Sequence, residues 1–423
     1  MTKVKKIHAY EIIDSAGNPT LEGRLVLDNG VEVVTSVPSG TTIGKYEANE
    51  LRDGDPYRFN GLGVSRAAFY INELIAPKLV GVSPSKQKEV DYWLIKADAT
   101  ATKSKLGANT ILIISQLFAK AGAIEAGVPL FRYINYLYEQ TFKKKLEIKR
   151  IPTPIFGIIN GGKHANNNLN FQEFQVISSS SYTFSQAYQR AIEIFHEMKK
   201  MLEYRNAVVS LGEEGGFTPY LATNIDALEI LSETIRSRNL RLGLDTFLGI
   251  DIAASHFYKD ERYIIKDKPS PLNAKEFLEY IKNLAKKYSI LVLEDPLNQD
   301  DWENWKNLEQ NINKEIYLVG DDLLASNKER LQKAIREKAC SAVLIKPNQI
   351  GTVSENLEIV DIARENNFAY IVAQRSSETN DSFIADLAVG IQSDFVKFGA
   401  PARGERVAKY NRLWQIERDE LQK

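Results

Sequence analysis

Sulfur and imidazole are scarce in this chain of 423 residues, which has one cysteine and four histidines. Cys340 alone cannot close a disulfide within the chain, form a CxxC redox pair or build a thiolate metal cluster. His8, His164, His196 and His256 lie far apart and make no HExxH or HxH pattern, so a histidine-rich zinc site is not expected. Any metal should be a hard, oxygen-bound ion. Charge of one sign is also missing. The 54 Lys and Arg against 55 Asp and Glu leave a net charge of −1, which argues against binding nucleic acid or an anionic membrane through bulk charge. No unbroken apolar run approaches eighteen residues, so no transmembrane helix is expected. Residues 1–10 are basic but precede no apolar segment or cleavage site, so a cytosolic chain is expected. No GxxxxGK[ST] loop is present. Gly61-Leu62-Gly63 starts like a dinucleotide fingerprint, but Arg66 falls where it should end.

What is present divides into two parts. Residues 1–140 read as a small α+β unit. Apolar, β-rich runs at 21–28 and 31–37 flank Asn29-Gly30, a strong hairpin signal. The loop Pro38-Ser39-Gly40-Thr41-Thr42-Ile43-Gly44 follows, then helical stretches near 63–79, 85–96 and 109–126. Residues 141–150, with Lys143, Lys144 and Lys145, read as a solvated connection to a second unit, 141–423. In that unit a helix over 183–204 places Phe184, Ala187, Tyr188, Ala191, Ile192, Phe195, Met198 and Leu202 on one side. Short apolar runs then recur at 247–250, 290–293, 316–319, 342–345, 368–372 and 395–396. Helical stretches such as 274–288 and 326–338 separate them. The alternation suits either a doubly wound parallel sheet or a barrel. The charged residues close to the ends of these runs favour the barrel, because a barrel gathers all C-terminal strand ends at one mouth.

Those charged residues have a chemistry. Asp251, Glu294 and Asp321 would bring three carboxylates together, and like charges at close range need a cation. A few oxygen ligands with room for water suit magnesium. The plainer reading makes each acid an N-cap or a surface ion pair. Lys346 and Lys397 follow apolar runs, and two neighbouring ammonium groups would lower each other's pKa toward the range of a general base. The plainer reading pairs each with a strand-end acid. The loop Gly212-Glu213-Glu214-Gly215-Gly216 offers carboxyl groups on a backbone that can approach a ligand closely. Asn160-Gly161-Gly162-Lys163-His164, with Gln172-Glu173-Phe174 beyond it, combines imidazole, amide and acid. Arg375-Ser376 suits a phosphate, since arginine presents a forked donor.

In order and spacing these strings resemble the enolases, the glycolytic phosphopyruvate hydratases. The similarity covers nearly the whole chain. Its carriers include Asp14-Ser15-Ala16-Gly17-Asn18-Pro19, Tyr46-Glu47-Ala48, Leu51-Arg52-Asp53-Gly54-Asp55, Asn160-Gly161-Gly162, Leu293-Glu294-Asp295-Pro296, Gly320-Asp321-Asp322-Leu323, Asn348-Gln349-Ile350-Gly351 and Gly399-Ala400-Pro401-Ala402-Arg403. The resemblance implies an N-terminal α+β capping domain on a modified (β/α)8 barrel in which an early strand runs antiparallel. It implies reversible dehydration of 2-phosphoglycerate to phosphoenolpyruvate with two Mg2+ ions per site. By position, Asp251, Glu294 and Asp321 resemble the ligands of the first magnesium, and Thr42 falls where a serine normally serves the second. Lys346 resembles the base. Glu214 resembles the acid, supported by Glu173 beside Gln172. Lys397 would meet the substrate carboxylate, Arg375 and Ser376 its phosphate, and His164 is the loop histidine.

Departures from the family pattern are as informative. Gln374 stands where enolases carry a histidine, Ser377 replaces a glycine and Thr42 a serine. Ala16 replaces the arginine that, in family dimers, reaches an acid of the partner near the position of Arg418. Both ends of that ion pair are changed, so the resemblance implies a homodimer without it. Two other readings follow: a barrel of the superfamily with weakened or shifted activity, and a surface-displayed plasminogen binder docking through the terminal Lys423.

Overall fold

The computed structural model describes residues 2–40 and 44–421. Thr42 and Lys423 lie outside the described residues. The first layer is an antiparallel sheet of β1 (Val4–Ile13), β2 (Pro19–Leu27) and β3 (Glu32–Ser36) in that order. Asn29-Gly30 makes the expected turn between β2 and β3, and Gly30 has φ +87°, a conformation other residues rarely adopt. β1 is absent from the sequence reading. Its register shifts between Val4 and Lys6, so the buried residues fall at Val4, Ile7 and Ala9 and strict alternation is lost. The helix expected over 63–79 is broken into Ser65–Phe69, a widened turn at Tyr70–Ile75, and Ala76–Leu79. At that turn Asn72 accepts from the Ala9 N–H (2.8 Å) and donates to the Ala9 carbonyl (3.1 Å), tying the helix to β1.

Helix Ala108–Ala126 lies against β2 and β3 on one side and helix Leu130–Phe142 on another. It is buried almost all round, as its uniformly apolar sequence requires. Among the described residues no single helix is long and apolar enough to cross a membrane. Helix Leu130–Phe142 continues past residue 140 and gives Phe131, Ile134 and Tyr138 to the core of the second unit. Of the three lysines after it, Lys144 is not merely solvated. Its ammonium donates to Asp361 at 2.7 Å and also meets Glu365.

The second unit closes into a barrel, which decides against the open sheet. Its strands are β4 (Thr153–Asn160), β5 (Glu173–Ser178), β6 (Thr246–Asp251), β9 (Ile290–Glu294), β10 (Tyr317–Gly320), β11 (Ala342–Ile345), β12 (Ala369–Ala373) and β13 (Phe395–Lys397). A small hairpin, β7 (Tyr258–Lys259) and β8 (Arg262–Tyr263), projects between β6 and β9. Around the barrel the order is β10-β11-β12-β13-β4-β5-β6-β9. β5 is antiparallel to both neighbours and all other pairings are parallel. Residues 161–172 join β4 to β5 without a crossover helix, which is possible only for antiparallel neighbours. The expected antiparallel early strand is therefore β5. Residue patterning hid it, because Glu173 and Gln175 are polar yet fully inside.

The outer helices start where side chains can satisfy their free N–H groups. Phe184–Tyr204 opens on a capping box of Thr183 and Gln186, and Ala274–Lys287 on one of Asn273 and Glu276. In the former, Ile194 is buried and Ile192 only partly so, a slight rotation of the expected face. The cap meets the barrel mouth through matched polar pairs. Ser39 pairs in antiparallel fashion with Ser377, and Lys120 donates to Asp381 at 2.6 Å.

Candidate active site

The barrel order decides which side chains meet. Asp251 and Glu294 end the adjacent strands β6 and β9 and are register partners. Asp321 follows β10, Lys346 follows β11, Arg375 lies two residues beyond β12, and Lys397 ends β13. All the described site residues expected from sequence converge here. His164, Gln172, Glu173, Glu214, Asp251, Asp321, Lys346, Arg375, Ser376 and Lys397 line one cavity. Glu294 lies just behind it, bonded to Lys397.

The two lysines hold the acids together. The Lys397 ammonium donates to both oxygens of Glu294 at 2.8 Å and to Asp251 at 3.1 Å, and lies 3.0 Å from Glu173. Lys346 donates to Asp321. Burial pulls the Lys346 pKa down, and Arg375 and Lys397 add to that, but the charges of Asp321 and Glu294 together bring the result above the ordinary lysine value. This corrects the expectation of a lowered pKa. The lysines were expected to act on each other, yet the nearest charge to Lys346 is a carboxylate. Burial, then the charges of Asp251 and Asp321, hold Glu294 well above the ordinary carboxylate value. Asp322 is pushed up to about 7, by burial first and then by Asp321.

A second group forms on the β4–β5 side. His164 Nδ1 lies 3.8 Å from Glu173 and 3.7 Å from Glu214. Burial raises the Glu173 pKa, and the charge of Glu214 adds to it. Burial also pushes Glu214 up, but His164, Arg406 and Lys397 outweigh that, and Glu214 is lowered. Of the two neighbouring carboxyls, Glu173 is thus the one whose neutral form its surroundings favour. The Glu214 loop is anchored on both sides. Gly216 N–H donates to Asn160 Oδ1 (2.9 Å), Phe217 N–H to the Ile158 carbonyl (2.8 Å), and Ala400 N–H to the Glu214 carbonyl (3.0 Å). Gly215, at φ +86°, makes the turn that aims Glu214 inward.

Arg375 is buried and pairs with Glu47 of the cap at 2.6 Å. Gly40 passes so close to this guanidinium that a Cβ there would press on Nη2 and force the arginine to shift. Glu47 is missed from sequence because nothing local in Tyr46-Glu47-Ala48 marks it as the partner of Arg375, 328 positions away. Asp295, at φ +40°, was also missed. Its carboxylate accepts the N–H groups of Asp321 (3.0 Å) and Asp322 (2.6 Å) and so shapes the β10 loop.

Comparison with known proteins agrees with this geometry. Residues 4–134 match the family model described as enolase, N-terminal domain, and residues 148–423 match enolase, C-terminal TIM barrel domain. A curated protein named enolase from Ehrlichia canis (strain Jake) is 40% identical over 415 residues, covering 98% of this chain and 96% of its own. The chain belongs to the enolase family. It is an enzyme of that kind, a phosphopyruvate hydratase acting on a small molecule.

Enolase family membership implies a divalent metal ion, and the residues present fit one. Oδ1 of Asp251 and Oδ1 of Asp321 are buried and have no hydrogen-bond partner. Unpaired buried carboxylate oxygens are costly unless a cation meets them. Asp295, Asp321 and Asp322 also bring ligand atoms within 4.8 Å of one another. The largest departure from the enolase pattern, Gln374, is buried beside the acid. Its Nε2 donates to Glu214 Oε2 at 3.0 Å.

Proposed function

We propose that this enzyme interconverts 2-phosphoglycerate and phosphoenolpyruvate with Lys346 as base and Glu214 as acid. The observation that carries this reading is the strand order. With eight strands closed in this sequence, β11 and β5 lie across the barrel from each other. Lys346 extends from the end of β11. Glu214 lies beside Glu173 of β5, and all three line one cavity. A substrate between them would lose its C2 proton to one wall and its C3 hydroxide to the other. Glu173 supports Glu214 as the neighbouring carboxyl, and Gln172 lies beside them. Lys397 and Arg375 are the cations for the substrate carboxylate and phosphate, with Ser376 next to Arg375. Asp251, Glu294 and Asp321 would hold the first of two Mg2+ ions, and Thr42 would help hold the second. Bound magnesium would supply Lewis-acid stabilisation of the charge that develops on the carboxylate.

The same reading divides the chain near residue 140 and makes it a cytosolic homodimer lacking the Ala16 ion pair. Supporting this, Arg418 pairs with its own neighbour Asp419 at 2.8 Å. No observation favours the shifted-activity or plasminogen-binding readings.

The purified chain with magnesium should form phosphoenolpyruvate from 2-phosphoglycerate, followed by its ultraviolet absorbance. Removing the metal with a chelator should stop it, and restoring magnesium should recover it. No product over a broad pH range would overturn the proposal.

A further inference from the structure

The side chain of Gln374 connects two groups that have opposite demands. On one side is Arg406, a fully buried arginine that holds two site loops together. Arg406 Nη1 donates to Gln374 Oε1 and to the Arg375 carbonyl, both at 2.7 Å. Arg406 Nη2 donates to the carbonyls of Glu213 (3.2 Å) and Ser376. On the other side is the Glu214 carboxylate. A guanidinium can only donate. Gln374 must therefore turn its oxygen toward Arg406, and this leaves its NH2 facing Glu214 Oε2. An amide NH2 accepts nothing, so an acidic proton on Oε2 would have no acceptor along that contact. The other oxygen, Oε1, faces His164 Nδ1, on the side of Glu173.

We propose that Gln374, oriented by Arg406, is a positioning residue that confines the acidic proton of Glu214 to Oε1. This rests on Glu214 being the acid that protonates the departing hydroxide. The proton would enter and leave Glu214 by one oxygen only, the one shared with His164 and Glu173, and water is the product of the transfer. The charged and titratable groups facing Glu214 are His164, Glu173, Lys397 and Arg406, and Gln374 adds a fixed donor that does not titrate. A neutral imidazole at position 374 would serve the same geometry, with its bare nitrogen toward Arg406 and its N–H toward Glu214. A side chain without hydrogen-bonding groups would not.

The test separates the two halves of the reaction. Exchange of the substrate's C2 hydrogen with solvent deuterium, followed by NMR, reports the base. Product formation reports the base and the acid together. In Gln374→Leu, turnover should fall about 10- to 100-fold, since a displaced general acid forfeits much of its contribution. Exchange should fall much less. Gln374→Met, closer in length to glutamine, should behave alike, and it keeps the test open if the leucine variant folds poorly. Gln374→His should restore turnover near neutral pH. Parent-like turnover in both apolar variants would overturn the proposal, as would an equal loss of exchange and turnover. Glu214→Gln distinguishes a deeper failure: if it turns over like the parent, the assignment of the acid itself falls.

Discussion

The inward faces of the barrel strands carry two adjacent layers of opposite character. Val292, Val319, Leu344, Ile371 and Phe395 belong to an apolar cluster inside the barrel. Two residues further along, on the same face, come Glu294, Asp321, Lys346 and Lys397, whereas Ala373, which follows Ile371, still belongs to the apolar cluster. The lower layer is an ordinary packed core and stabilises by burial. The upper layer takes charges out of water, which disfavours folding unless they are paired. Packing below and paired charge above are thus separate layers of one face.

The largest expected effect is on the upper layer. Lys346→Ala should lower turnover about 10³-fold or more, within the range a general base supplies. A loss smaller than tenfold in steady-state kinetics would place the base elsewhere. In the lower layer, Ile371→Ala should cost about 2–5 kcal/mol in urea unfolding, the range for a large-to-small core change. Turnover per folded molecule should stay close to the parent's. If stability were kept and activity lost, the separation of the layers would be wrong.

The smallest effect concerns pH. The folded-state pKa of Asp322 is raised to about 7, so the folded protein binds a proton there that the unfolded chain has already released. Without metal, stability should therefore decline between the ordinary aspartate pKa and about pH 7. Glu294, also raised, contributes in the same direction. Asp322→Asn should flatten this decline in chelator-treated protein. Urea midpoints from pH 5 to pH 8 would show it, and equal slopes in parent and variant would remove Asp322 as a cause.

Much of the site is readable from the chain because strand-end charges keep a simple relation to apolar runs. Asp251, Glu294, Asp321, Lys346 and Lys397 are visible in that way. β1 and β5 are not, since a bulge disturbs the first and polar residues fill the inside of the second. Glu47 and Asp295 act through partners far away in sequence or through an unusual backbone angle. Arg406 sits in an ordinary-looking helix, Gly404–Ile416, and nothing local marks it as the group that orients Gln374.

By itself the sequence determined the chemical inventory: oxygen and nitrogen groups without thiol or histidine clusters, strand–helix alternation in the second part, and carboxylates, lysines and an arginine in the order of the enolase family. Tertiary structure alone decided that the sheet closes, that β5 runs backwards, and that Lys346 and Glu214 lie across one cavity. It also decided the sign of the Lys346 shift and the direction in which Gln374 faces. The reason is range. Hydrophobic period and turn chemistry act between near neighbours in the chain, whereas closure, burial and electrostatic pairing are set by groups that folding brings together from distant positions.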